Sequence, residues 1–161
     1  MEGMLQPYNG LTPRQVALAS ALVASHRWVW GSGTTGLSPG GALVEIMPGR
    51  PVAMNSLASQ GLVPMLTEPA VVGHLMALLA AACGVEVSWS VGQRPGEGAW
   101  CALEAGGHRR EWTGDVLGEA VAGALGARWV ALDRRDEARR EASGLPARGR
   151  VLRPVARPNA A

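Results

Sequence analysis

Val85-Glu86-Val87-Ser88-Trp89-Ser90-Val91 alternates apolar and polar residues, which is the pattern of a strand with one buried face. Two further segments of extended character, Trp100 to Ala105 and His108 to Trp112, follow along the chain. Gly106-Gly107 joins them, and a glycine pair indicates a two-residue hairpin because glycine accepts the positive φ angles of such turns. The three segments therefore predict a three-stranded antiparallel meander.

Two apolar helices are predicted before the meander. Thr12-Pro13-Arg14-Gln15 has the form of a capping box with proline at the first helical position, so a first helix should run from Pro13 to His26. Thr67 is the expected N-cap of a second helix, which Gly84 ends. Because apolar residues lie around most of the circumference of this second helix, we expect it to be the most buried helix of the fold.

A third helix, Val116 to Leu125, is predicted after the meander, with Asp115 as its cap and Gly126 at its C-terminal end. Arg128 to Leu132 suggests one further short strand. The segment from Asp133 to Glu141 carries opposite charges at spacings of three and four, which suit a solvated helix.

Residues 145–161 contain three prolines among arginines and are predicted to be disordered or extended. With 161 residues in all, the chain fits one ordinary domain. We therefore expect a single α+β domain over residues 1–132. Residues 133–161 are expected to form a charged helix and an Arg/Pro-rich tail that is partly disordered.

Short strands are also expected near the N-terminus. Ala42 to Met47 and Pro51 to Met54 flank Pro48-Gly49-Arg50, which indicates a turn between two extended segments. Upstream, residues 31–36 match G-x-G-x-x-G, but Leu37-Ser38-Pro39 cannot open the helix that a dinucleotide site needs. A surface loop is the favoured interpretation. The predicted fold is an antiparallel sheet, consisting of the meander and the short N-terminal strands, layered with helices as in an α/β/α sandwich.

The composition excludes several classes of enzyme. All 15 basic residues are arginine, so a Walker A loop, a Schiff-base enzyme and a protein-kinase site are ruled out. The net charge is +2, with about −2 on residues 1–132 (7 Arg, 9 acidic) and +4 on residues 133–161 (8 Arg, 4 acidic). Nucleic-acid binding is therefore expected to be weak and non-specific at most.

Nothing in the sequence predicts export, membrane insertion or a cofactor. The first ten residues lack the pattern of a signal peptide, and the most apolar run, residues 71–85, is shorter than the roughly 20 residues of a membrane span. Cys83 and Cys101 fit no zinc-binding spacing. We expect a cytoplasmic protein with reduced thiols, no membrane contact, no metal and no cofactor.

A catalytic centre is not expected either. The three histidines are far apart, so a metal site would have to be assembled by tertiary structure. Cys101 could be a nucleophile activated by His108 across the glycine turn, but a small buried side chain in a strand is the favoured interpretation. His74 is expected to be a hydrogen-bonded histidine of the core.

The order of elements from Thr67 to Leu132 resembles the small bacteriophage α–β–α sandwich domains. The resemblance lies in a helix, an alternating strand, a strand with Trp100-Cys101, Trp112, and then Asp115-Val116-Leu117-Gly118-Glu119-Ala120 opening a closing helix. It implies a phage or prophage gene, expressed in the cytoplasm of a host bacterium, and an α+β layered fold. The resemblance provides no characterised enzymatic activity to carry over to this chain.

Arginine and tryptophan lie close together three times, in residues 26–30, 108–112 and 128–129. A guanidinium binds phosphate and an indole stacks on a base, so the pairing suits a nucleotide-like ligand. Core tryptophans flanked by solvated arginines are the alternative. The candidate ligand-binding residues are Arg27, Trp28, Trp30, Arg109, Arg110 and Trp112.

The sequence thus leads to two hypotheses of different classes. The first is a non-catalytic phage or prophage accessory protein that binds a small phosphorylated, nucleotide-like ligand and sequesters a host defence signal. The second is a structural or protein-interaction module, either a virion component or an inhibitor of a host factor. A homo-oligomer is expected in both cases, because the helix from Val71 to Cys83 is more apolar than a one-sided surface helix needs.

Overall fold

The computed structural model describes residues 8–47 and 61–145. This part of the chain forms three helices and six strands. In chain order they are α1 (Pro13–Ala24), β1 (Thr35–Leu37), β2 (Leu43–Glu45), β3 (Val63–Pro64), α2 (Pro69–Cys83), β4 (Ser88–Arg94), β5 (Gly98–Ala105), β6 (His108–Gly114) and α3 (Leu117–Ala142).

The strands form two antiparallel sheets. A small sheet has the order β2-β1-β3, and the larger one is the predicted meander in the order β4-β5-β6. In the meander, Cys101 lies opposite both Val91 and Trp112, and Ala105 pairs with His108 across Gly106-Gly107. The α+β class predicted from the sequence is confirmed, with helices layered on antiparallel sheets.

The first helix has the expected N-terminus. The Thr12 hydroxyl accepts a hydrogen bond from the amide of Gln15 at 3.2 Å, and the Gln15 side chain accepts one from the amide of Thr12 at 2.9 Å. The capping box is therefore confirmed. The helix ends at Ala24, two residues before the predicted end at His26, because the Ser25 amide turns back to the carbonyl of Leu22.

The second helix begins later than predicted. Its N-cap is Glu68 rather than Thr67, and no side chain forms a capping hydrogen bond at this end of the helix. The first helical residue is Pro69, whose fixed φ suits that position. Gly84 ends it as expected, with φ +57°. The next residues continue the turn, since the Val87 amide donates to the carbonyl of Cys83. For this reason β4 starts at Ser88 and not at Val85.

The third helix is one continuous helix from Leu117 to Ala142, so neither the predicted end at Gly126 nor the predicted strand from Arg128 to Leu132 exists. A buried stripe at helical spacing, formed by Gly118, Ala122, Leu125 and Trp129, runs past Gly126. This packing outweighs the cost of about 1 kcal/mol for one glycine in a helix. The charged segment from Asp133 to Glu141 is helical, as predicted.

Close contacts of α3 hold the layers together. A Cβ atom at Gly118 would lie on the backbone carbonyl of Leu66, and one at Gly123 would lie 3.0 Å from the Trp112 ring. At Gly126 the neighbour is Leu22 of α1, at 3.9 Å. Gly118 and Gly123 therefore let α3 approach the segment after β3 and the face of the meander that bears Trp112, whereas the contact with α1 at Gly126 leaves room for a Cβ atom.

Two expectations for the N-terminal part need correction. Thr35 and Gly36 belong to β1 rather than to a surface loop, and Gly36 is buried against Leu62. The strand Leu43–Glu45 lies inside the predicted segment from Ala42 to Met47, but its partner is β1. The rest of that predicted hairpin, Pro51 to Met54, lies outside the described residues.

The chain separates into two compact units, residues 1–129 and 130–161, with the boundary inside α3. The domain boundary after residue 132 that the sequence suggests stays a prediction. The tail from residue 146 onward lies outside the described residues.

Gly118→Ala should lower the free energy of unfolding by about 1–3 kcal/mol, the usual cost of overpacking, because its methyl group would meet the carbonyl of Leu66. Gly73 provides a matched control, since it also lies in a helix but no neighbouring atom lies within 4 Å of its Cβ position. Gly73→Ala should raise the free energy by about 0.5–1 kcal/mol. Urea unfolding followed by circular dichroism measures both. Equal effects would contradict the close contact at Gly118.

Candidate ligand-binding surface

Trp100 lies on the outer face of the meander. Successive residues of a strand point to opposite faces, so Trp100 and the fully buried Cys101 project to opposite sides of β5. The Trp112 ring, on the face of Cys101, packs against Gly123 of α3, which makes that face the inner one. Trp100 is half-buried. Its ring lies over Gly92 of β4, where a Cβ atom would come within 2.7 Å of the indole.

Two arginines lie over this indole from the two flanking strands. The guanidinium carbon of Arg94 is 5.3 Å from the Trp100 ring centroid, and that of Arg109 is 5.4 Å away. Both distances are within the range of cation–π contacts. An indole thus has a guanidinium group from β4 and another from β6 on the same face of the sheet.

Glu111 holds both arginines. It accepts two hydrogen bonds from Arg94, at 2.6 and 3.0 Å, and one from Arg109 at 3.4 Å. Arg109 also lies 3.8 Å from Glu104, its cross-strand neighbour. The two hydrogen bonds from Arg94 to Glu111 are shorter than the one from Arg109, and together they form a bidentate pair. We call the group of Trp100, Arg94, Arg109 and Glu111 the Trp100 platform.

The ion pairs shift the acidity of the groups that form them. Hydrogen bonding from Arg94 lowers the pKa of Glu111 below its ordinary value of 4.5, and the charge of Arg109 adds to this. The same bond to Glu111 raises the pKa of Arg94. The Glu111 carboxylate and the Arg94 guanidinium are therefore charged at neutral pH.

An open cleft of about 530 Å³ adjoins the platform at the turn between β4 and β5. Its lining residues are Gln93, Arg94, Pro95, Gly96, Gly98 and Asp115. Arg94 belongs to both the cleft and the platform, so a ligand on the indole has room to extend toward this turn.

Arg109 and Arg110 do not share a site. They are adjacent in β6, and their side chains go to opposite faces of the sheet. Arg109 lies over Trp100, whereas the guanidinium carbon of Arg110 is 4.9 Å from the Trp112 ring centroid. Of the six residues selected from the sequence, Arg109 is the one that reaches the Trp100 platform.

Trp28 and Trp30 form a separate cluster with His74 of α2. The two indoles meet edge to face at a centroid distance of 5.2 Å, and Trp28 lies 5.9 Å from the His74 ring. Nε2 of His74 is 2.6 Å from the carbonyl oxygen of Val29, so His74 is hydrogen-bonded as predicted, but it is half-buried rather than part of the core. Within the described residues, the buried indole N–H of Trp28 has no hydrogen-bond partner.

Arg27, the remaining candidate, lies between this cluster and α1. Its amide donates to the Ser25 hydroxyl at 3.2 Å, beyond the end of the helix. The third sequence pair, Arg128-Trp129, is structural. Arg128 donates to the carbonyl of Ala82 near the end of α2, and Trp129 is buried.

Arg94 and Trp100 were not among the candidates from the sequence, because Arg94 has no tryptophan next to it in the chain and Trp100 has no arginine next to it. The signal that could have found them is the register of the predicted meander. Ala105 lies opposite His108, and counting back along β5 from this pair places Glu104 opposite Arg109 and Ala102 opposite Glu111. Trp100 lies two residues before Ala102 and therefore on the same face of the strand. Alternate residues of each strand point to the same face, and cross-strand neighbours share that face, so Trp100, Arg109 and Glu111 all lie on the outer face.

The structure provides no activated cysteine. Burial raises the pKa of Cys101 to about 11, so its thiol is protonated at neutral pH. His108 lies roughly 13 Å along β6 from Trp112, the cross-strand neighbour of Cys101, and the two side chains cannot form the pair considered above. Cys83 and Cys101 are both free.

Two other kinds of site are absent from residues 8–47 and 61–145. These residues contain no cluster of three or more histidine, cysteine or acidic side chains placed to hold a metal ion. None of their helices has the length and apolarity to cross a bilayer.

Comparison with family models, with curated proteins and with solved structures gives no match to this chain.

The carboxyl of Glu111 should titrate below 4.5 in a carbon-13 NMR titration, and Arg94→Gln should raise its pKa by removing the paired hydrogen bonds. Arg110→Gln, on the other face, is the matched control and should leave the pKa unchanged. Because folding lowers this pKa, the pair stabilises the fold above the unfolded value, and that stabilisation is lost as the pH falls through the folded pKa. An unshifted pKa in the wild type would contradict the ion pair.

Proposed function

We propose that this chain is a non-catalytic binding protein for a small phosphorylated, nucleotide-like ligand, and that the Trp100 platform receives it. The observation that carries the proposal is an indole on an open sheet face with two guanidinium groups over it. Indole and guanidinium planes both stack on nucleobases, and guanidinium groups also bind phosphate. The platform combines both kinds of contact within one patch.

Arg109 is the arginine best placed to bind the phosphate. Arg94 gives both of its terminal nitrogens to Glu111 at 2.6 and 3.0 Å, whereas the contacts of Arg109 to Glu111 and Glu104 are 3.4 and 3.8 Å. A phosphate oxygen therefore displaces weaker contacts at Arg109. The base stacks on the guanidinium of Arg94, which Glu111 keeps over the Trp100 ring, and the ligand extends toward the cleft at the β4–β5 turn.

A role in binding rather than catalysis is supported by the chemistry of the described residues. The carboxylate of the platform is already paired with two arginines, and the four residues of the platform include no cysteine, histidine or hydroxyl side chain. The resemblance of residues 67–132 to small phage domains adds the biological part of the proposal, namely a phage or prophage accessory protein that sequesters a host defence signal.

Arg109→Gln is expected to weaken binding of the tightest ligand about 10- to 100-fold, the range for a lost charge-assisted contact of about 1.5–3 kcal/mol. Calorimetry should use a panel of nucleoside monophosphates, cyclic oligonucleotides and ADP-ribose. Arg110→Gln is the matched control, because it removes a guanidinium from the next residue of the same strand but on the inner face, and it should bind like the wild type.

Two outcomes would overturn this proposal. Absence of binding by the wild type below about 100 μM to every member of the panel would reject the ligand class. Equal losses in the two arginine variants would show that the bound ligand does not lie on the Trp100 platform.

A protein-interaction module is the second candidate. It is favoured by one observation: among the described residues β4 pairs with β5 only, and its residues from Ser88 to Gln93 carry no charge. Affinity capture from infected cells, with mass spectrometry of purified virions, would distinguish a virion component or host-factor inhibitor from the ligand-binding protein.

A further inference from the structure

The two edges of the meander differ in charge. Within the described part of the chain, β4 and β6 each pair with β5 only, so each has one open edge. The edge strand β6 carries Arg109, Arg110 and Glu111, and charged side chains on an edge discourage pairing with another strand. In β4, the residues from Ser88 to Gln93 carry no charge and include no proline.

The backbone groups at the open edge of β4 can be identified from the register. Ala105 and His108 close a two-residue turn, so they form a hydrogen-bonded pair, and alternate residues of β5 bond to β6. The intervening residues of β5 bond to β4, through Ser88, Ser90, Gly92 and Arg94. The amides and carbonyls of Trp89, Val91 and Gln93 therefore point away from the sheet.

We propose that β4 pairs with β4 of a second copy of this chain, antiparallel and about a two-fold axis at Val91, to give a continuous six-stranded sheet. In this register Val91 lies opposite the partner's Val91, and Gly92 opposite the partner's Ser90. Trp89, Val91 and Gln93 supply the hydrogen bonds. This inference is independent of the proposed ligand.

The charges of β4 are compatible with this occupant and this register, and the register centred on Val91 is the one in which all three outward-facing residues have partners. Arg94, the single charged residue of β4, lies opposite the partner's Ser88, so no like charges face each other. Pairing of β6 with a second β6 would bring two copies of Arg109-Arg110 to the same interface. The β4 edge is thus compatible with its own copy in a way that the β6 edge is not.

Nothing bulky on the adjoining helix obstructs the approach. Helix α2 contacts β4, and from Gly73 onward its exposed positions carry only small side chains, namely Gly73, Ala77, Ala80 and Ala81. A sheet that continues through β4 brings the two copies of α2 toward each other on one side. On the outer face, the partner's Ser90 comes next to Gly92, on which the Trp100 ring rests.

The test is the mass and the amide exchange of the full chain. Sedimentation should give about twice the 16.7 kDa of one chain. Ser90→Lys should give a monomer, because it places a charge on each copy near the two-fold axis. His108→Lys adds the same charge to the other edge strand and is the matched control, which should stay dimeric. In the wild type, the amides of Trp89, Val91 and Gln93 should exchange slowly, and dilution should remove the protection.

Three results would overturn the proposal. A wild-type monomer at high micromolar concentration would reject it outright. Slow exchange of the three amides in a monomer would show that another segment of the same chain covers β4. A dimer in which the three amides exchange fast would place the interface elsewhere, and this readout decides the question even if Ser90→Lys fails to fold.

Discussion

Gly118 lies so close to the backbone of Leu66 that a Cβ atom has no room there. Leu66 follows β3 of the small sheet, and Gly118 lies in the first turn of α3, directly after β6 of the meander. The contact therefore joins the two sheets, and only glycine allows it. The buried Glu119 fixes the same turn, because its carboxylate accepts a hydrogen bond from the Asp115 amide at 2.5 Å. Asp115-Val116-Leu117-Gly118-Glu119 is thus a structural segment.

This arrangement of α3 decides which face of the meander is available to a ligand. Gly123 brings the helix onto the Trp112 side, so that Cys101 and Ala99 are buried there. The opposite face carries Trp100, Arg94 and Arg109 and has no helix over it among the described residues. Adjacent residues of β6 consequently have different roles, since Arg110 covers Trp112 and Arg109 lies on the platform.

The sequence predicts most where a local pattern and its tertiary packing agree. The meander, the glycine turn and the capping box of Thr12 and Gln15 all follow from local rules. The end of α3 could not be predicted in this way, because Gly126 has the local character of a helix stop, while Leu125 and Trp129 continue the buried stripe. The platform was missed for a related reason. Arg94 and Arg109 are 15 positions apart in the chain, and only strand register brings them to one indole.

Stability alone does not account for the Trp100 platform. Exposed ion pairs contribute about 0–1 kcal/mol each, and the side chains of Arg94 and Arg109 are 42% and 44% exposed. A half-buried indole on a solvated sheet face also gains less from burial than one in the core. A threonine or valine at this position would suit a strand as well. Two guanidinium groups held over an indole are instead the arrangement that the proposed planar, anionic ligand would use, because the groups that would bind it already lie together.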